Sequence, residues 1–138
     1  MRKVKKKDVL IILKSMNTKI IPRVSNPLVF SDFIISAYDL VDMKQGSISL
    51  KQDVIITIHA LSSLFILMTN HGLDYTSINY YTKLYFLLDY FELIFSLKEK
   101  FKFLRLLELS IKSPMLPSTI AASFIKKIMR INCKIVNF

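Results

Sequence analysis

Apolar side chains recur along this chain at intervals of three and four residues, the spacing of one face of a helix, and strand-like alternation is absent. A first helix is predicted from Asp8 to about Ile21, with Val9, Ile12, Leu13, Met16 and Ile20 on its apolar stripe and Pro22 as its stop. Asn26 and Pro27 restart the chain into a second helix near Leu28 to Val41. There Phe30, Phe33, Ile34, Ala37 and Val41 share a stripe, and Asp42 to Gly46 break it. The third, from about Ser49 to His71, is the most apolar and is placed at the centre, with Ile55, Ile58, His59, Ser62, Phe65, Ile66 and Thr69 along one side. Gly72 supplies its end, because glycine takes a left-handed C-terminal conformation most easily. A fourth helix, Ser77 to about Leu88, carries Tyr81, Leu84, Tyr85 and Leu88.

The last two predicted helices pair an apolar stripe with a basic one. In the fifth, roughly Leu97 to Ile111, the stripe Leu97, Phe101, Leu104, Leu107 and Ile111 lies beside Lys98, Lys102, Arg105 and Lys112. In the sixth, about Ser118 to Ile135, Ile120, Phe124, Ile128, Ile131 and Ile135 form the stripe, and Lys126, Arg130 and Lys134 stack beside it at four-residue spacing. Pro117 suits the first turn of this helix. About six helices on short loops, without sustained coiled-coil heptads, predict an all-α fold in which helix pairs stack as a HEAT-like α-solenoid fragment.

Composition narrows the function. The 138 residues suffice for one domain, expected over residues 8–138 behind a basic arm, residues 1–7, with five basic side chains in MRKVKKK. Twenty Lys and Arg against ten Asp and Glu leave a formal charge of +10, which favours a phosphate-rich partner, an anionic membrane or an acidic protein. The single cysteine, Cys133, excludes an internal disulfide framework, and His59 and His71 cannot by themselves close a metal site. With two glycines in the chain, Gly-rich phosphate loops are scarcely available, and no metalloprotease, nucleophile-elbow or paired-cysteine motif occurs. No catalytic residue, cofactor or metal is therefore expected. His59 reads as a hydrogen-bonded core residue, His71 as a helix-end residue and Cys133 as a small space-filling one. The aromatic cluster from Tyr80 to Phe95 reads as core or protein interface ahead of a base-stacking platform, since it recurs at helical spacing among leucines.

A membrane alternative stands beside this. Val54 to Leu73 contains no Asp, Glu, Lys or Arg and has about the length of a bilayer span. It also carries His59, Ser62, Ser63, Thr69, Asn70 and His71, and a helix buried in a helical stack is likewise apolar on most sides. A soluble core helix is the preferred reading. A stand-alone basic RNA-binding helical protein is the other rival.

Four blocks of sequence resemble a known family. IIPRVSNPLVFSDFIISAYD (Ile20 to Asp39), SLFILMTNHGLDY (Ser63 to Tyr75), YTKLYFLL (Tyr81 to Leu88) and FLRLLELSIKSPMLPSTIAASFIKKIMRI (Phe103 to Ile131) are similar, in order and spacing, to the CCAAT-binding-factor domain of the nucleolar complex protein 4 family. The matching residues are Asn26, Pro27, Asp32, Phe33, Tyr38 and Asp39; Leu64 to Met68; Tyr81, Lys83, Leu84 and Tyr85; and Leu116, Pro117, Ala122, Phe124, Ile125, Lys126 and Arg130. The resemblance implies a non-enzymatic nucleolar factor that acts in small-subunit assembly and pre-rRNA processing, with HEAT-like packing and nucleolar protein 14 as partner. Contact with rRNA and with other small-subunit assembly factors would follow.

Partner-facing or rRNA-facing roles are expected for Lys98, Lys102, Arg105, Lys126, Lys127, Arg130 and Lys134, with Lys126, Lys127 and Arg130 matching the family's basic run. The family's proteins are several times longer, so the expectation is a compacted version or a fragment. A glycine pair that often follows the Tyr-Asp is absent, and Pro114 and Ser118 replace other residue types.

Overall fold

The computed structural model describes residues 6–39, 50–74, 76 and 79–136. Their regular structure is all helical, with no strand among the described residues, as the periodicity predicts. They fall into two compact units, Met1–Ile78 and Asn79–Phe138.

The first unit is built on a long apolar helix with two shorter ones against it. Helix α1 (Lys6–Ser15) runs on into a π-helical turn, Met16–Ile20, and a 3-10 turn, Ile21–Arg23. The predicted single helix thus keeps its extent but changes pitch. Pro22 has no N–H to give the preceding turn and its ring crowds the carbonyl four residues back, so regular α geometry ends before it. Instead the Ile21 N–H donates to the Met16 carbonyl. Val9, Leu13 and Met16 are buried as expected, but Ile12 is exposed. A 3-10 turn, Pro27–Phe30, leads into α2 (Ser31–Asp39), which buries Ile34 and Ala37. Val41 and the predicted break at Asp42 to Gly46 lie outside the described residues.

Helix α3 (Leu50–His71) packs against both α1 and α2. Its burial extends almost all round through the middle turns, where Val54, Ile56 to Leu64, Leu67 and Met68 are buried. The single stripe predicted for it is too narrow, and Thr69 is exposed. The hydroxyls inside this core are satisfied locally: Thr57 Oγ1 donates to the Asp53 carbonyl at 2.9 Å and Ser62 Oγ to the Ile58 carbonyl at 2.8 Å. Ser63 Oγ reaches Asn17 Oδ1 at 2.7 Å, which ties α3 to the π-turn. Gly72 ends the helix at φ +74, and the Leu73 N–H donates to the Leu67 carbonyl at 3.1 Å. By length and composition α3 would cross a membrane, yet 67% of its most apolar window is buried inside the chain.

The second unit contains α4 (Tyr80–Leu87), a 3-10 turn Leu88–Tyr90, α5 (Phe91–Phe95), α6 (Lys100–Lys112) and α7 (Ser118–Val136). Asn79 opens α4 from the left-handed region at φ +52, which asparagine tolerates better than most residues. Aromatic side chains knit the unit. Buried Tyr80 places its hydroxyl 2.7 Å from Ser110 Oγ on α6, and Tyr81 donates to the Ser110 carbonyl at 3.3 Å. Burial pushes the Tyr80 phenol well above the usual tyrosine range, and the Ser110 hydrogen bond opposes this in part. Phe124 of α7 meets Tyr81 and Tyr85 edge-on, at ring-centroid distances of 6.4 and 5.5 Å.

Three sequence expectations need correction here. The short helix α5 is not among the expected helices: the run from Leu84 to Leu97 is apolar at most positions, and Asp89 within the break at Leu88–Tyr90 fits a helix surface as well as a turn. The buried face of α6 is Phe103, Leu106 and Ser110, whereas Phe101, on the predicted stripe, is 71% exposed and Leu104 is exposed too. Ser110 lies on this inner face, where the Tyr80 hydroxyl supplies its partner. Pro117 also stands one place ahead of the expected position: it precedes α7, and its carbonyl accepts the Ala121 N–H at 2.9 Å.

Candidate functional site

Helix α7 has the amphipathic pattern of a surface helix, and its nineteen residues include no Asp or Glu. Phe124 is buried and Ile120, Ile128 and Ile131 are half-buried. At about 100° per residue these four share one side of the helix. Lys126, Arg130 and Lys134 lie on another side, all exposed, and none of them forms an ion pair among the described residues. Three exposed cations at four-residue spacing make a positive strip.

Lys127 is placed differently. Its side chain is 14% exposed, and its ammonium lies 2.6 Å from Asp89 Oδ1 and donates to the Tyr85 carbonyl at 3.0 Å. It also sits 3.9 Å from the centre of the Tyr85 ring. These contacts clasp α7 to the end of α4 and the turn that follows. Beside the clasp, the segment Leu88–Leu93 and α7 enclose a cleft of about 420 Å³. Asp89 and Glu92 line it from the first segment, and Lys127, Arg130 and Lys134 from the helix.

The cations of the α6 region are scattered by comparison. Lys98 is exposed ahead of the helix, and Lys102 is half-buried. Arg105 and Lys112 both bond Glu108, at 3.1 and 2.8 Å, and these two partners, Lys112 first, hold the Glu108 carboxyl below the usual range. Of the seven predicted residues the structure therefore brings Lys126, Arg130 and Lys134 together as one open strip. Lys127 is engaged inside the unit, and Arg105 shares Glu108 with Lys112 on its own helix.

Sequence reasoning missed two exposed apolar residues of α7, Ile125 at 55% and Met129 at 62%, four positions apart. A helical wheel carries the signal: apolar residues span more of α7 than one buried face requires. Among the residues that carry the family resemblance, Ala122, Ile125, Lys126 and Arg130 are exposed together on this helix, while Leu64, Leu67, Met68, Tyr81, Leu84 and Phe124 are buried. Among the described residues, no group of three or more His, Cys, Asp or Glu is placed to hold a metal.

The chain is 42% identical over 124 residues to the protein Nucleolar complex associated 4 of Arabidopsis thaliana, a match covering 90% of this chain and 19% of that protein. It is 35% identical over 121 residues to the nucleolar complex protein 4 homolog of Danio rerio, covering 88% and 20%. The mouse homolog of the same name is 36% identical over 120 residues, covering 87% and 20%. The chain thus spans about a fifth of the length of the curated relatives it matches. No solved structure matches it. Residues 57–137, which include most of α3 and the whole of the second unit's described helices, match the model of the CBF/Mak21 family, and the chain belongs to that family.

Proposed function

We propose that this chain is a non-enzymatic adhesion module of a nucleolar ribosome-biogenesis factor, which acts in small-subunit assembly and pre-rRNA processing by binding nucleolar protein 14. The observation that carries the reading is the similarity, along about nine-tenths of the chain, to proteins named for membership in a nucleolar complex. Localisation in the nucleolus follows from the same names. The open cationic strip of Lys126, Arg130 and Lys134 supports work beside rRNA or an acidic protein, and the same role is proposed for exposed Lys98, ahead of α6, and half-buried Lys102 within it. In this reading residues 8–138 form one CBF-type domain with HEAT-like helix stacking.

Co-purification tests it. The tagged protein, purified from its own cells, retains nucleolar protein 14 and enriches precursors of the small-subunit rRNA over those of the large subunit. A folded chain that retains neither overturns the reading. The membrane alternative is disfavoured by the packing of α1 and α2 on α3. Carbonate extraction separates it, since a spanning helix stays in the pellet.

A further inference from the structure

The exposed side of α7 is made of two unlike strips. Ala122, Ile125 and Met129 form an apolar one, which exposed Cys133 continues, and Lys126, Arg130 and Lys134 run alongside. We propose that this flank of α7 is a docking surface for an acidic amphipathic helix of a partner protein, which covers Ile125 and Met129 with its apolar side and pairs with the lysine and arginine strip through its carboxylates. The proposal rests on the adhesion reading above and adds the surface and the chemistry of what binds there.

Charge complementarity selects the occupant. Helix α7 carries no carboxylate of its own, and of the two that line the cleft beside Arg130 and Lys134, Asp89 is paired with Lys127, which leaves Glu92 against those two cations and the strip with a positive surplus for a partner's carboxylates. RNA would answer the cations but would gain nothing from two large apolar side chains placed in water beside them. A lipid surface needs a broad apolar face, and here the broad face, centred on Phe124, is already packed inside the unit. A narrow apolar strip flanked by one sign of charge is what an amphipathic helix matches. From Ala122 to Cys133 the surface is roughly 16 Å long at 1.5 Å per residue, about three turns of a partner helix. Ala122 lets that helix approach closely, and the Lys127 clasp on Asp89 and Tyr85 holds α7 in place before anything binds.

The test is site-specific crosslinking in cells. A photoreactive phenylalanine analogue replaces Met129 in the full protein, and the crosslinked peptide is sequenced. The expected product is a protein segment with excess Asp and Glu and apolar residues at positions i, i+3, i+4 and i+7. Lys126→Glu with Arg130→Glu lowers its yield at least about ten-fold, while the charge-matched pair Lys14→Glu with Lys51→Glu leaves it within about two-fold. Circular dichroism checks that the helical content of both pairs is unchanged. The inference is overturned by a crosslink to RNA, to lipid, to a second copy of the chain or to a segment without that pattern. An absent crosslink, or a yield indifferent to the charge pair, also overturns it. Retention of nucleolar protein 14 without the expected crosslink sinks this inference alone. An acidic helical segment from a protein outside the pre-ribosome sinks the adhesion reading alone.

Discussion

The buried hydroxyl pair Tyr80–Ser110 shows how a polar residue is accommodated on the inner face of a helix. A serine at the centre of α6's inner face is tolerated because the Tyr80 hydroxyl lies 2.7 Å away, and removing that partner leaves a buried polar atom short of a bond. Tyr80→Phe is therefore expected to cost about 1–3 kcal/mol in urea unfolding at neutral pH. The pH dependence follows from the raised phenol. The folded state keeps its proton where the unfolded tyrosine, with an ordinary value of about 10, begins to lose it. This stabilising contribution is intact below about pH 10 and declines as pH rises further. Tyr80→Phe should accordingly show a shallower loss of stability above pH 10 than the parent chain. Lys127 is a second such case. Lys127→Met keeps most of the stem's packing but removes the contacts to Asp89 and Tyr85, an expected loss of about 1–2 kcal/mol by thermal or urea unfolding. Neither contact was visible in periodicity, because thirty residues separate Tyr80 from Ser110 and Lys127 lies forty-two from Tyr85.

At the scale of elements, the sequence was most readable where apolar and polar residues separate cleanly. Val9, Leu13 and Met16 on α1 and Ile34 and Ala37 on α2 are buried as their spacing implies, and Gly72 ends α3 where a left-handed residue is needed. Legibility failed where apolar residues surround a helix. On α6 both Phe101 and Phe103 qualify for a stripe, and the tertiary packing that buries Phe103 and Leu106 beside the Tyr80–Ser110 contact is not visible in the spacing. Phe103→Ala should cost about 3–5 kcal/mol, a buried-aromatic truncation, while Phe101→Ala stays within about 0.5 kcal/mol. The reverse order in chemical denaturation would mean that α6 is turned the other way. The candidate site was half legible for the same reason. Lys126, Arg130 and Lys134 announce themselves at four-residue spacing, but Ile125 and Met129 are apolar and were absorbed into the expectation of a core.

On the scale of the whole molecule, a chain with a formal charge of +10 and half its residues apolar has to place both a large core and a surplus of cations. The apolar residues supply the all-round burial of α3 and the aromatic knit of the second unit, and the surplus charge remains on surfaces such as the α7 strip. Membership of the CBF/Mak21 family agrees with a helical module of this kind. The most direct measurement is sedimentation of the tagged protein from its own cells through a sucrose gradient, with small-subunit rRNA precursors probed across the fractions. The account predicts co-migration with those precursors in large particles, with Lys126→Glu plus Arg130→Glu shifting the protein toward the light fractions while it stays folded. A protein found only in the light fractions or in the membrane pellet would contradict it.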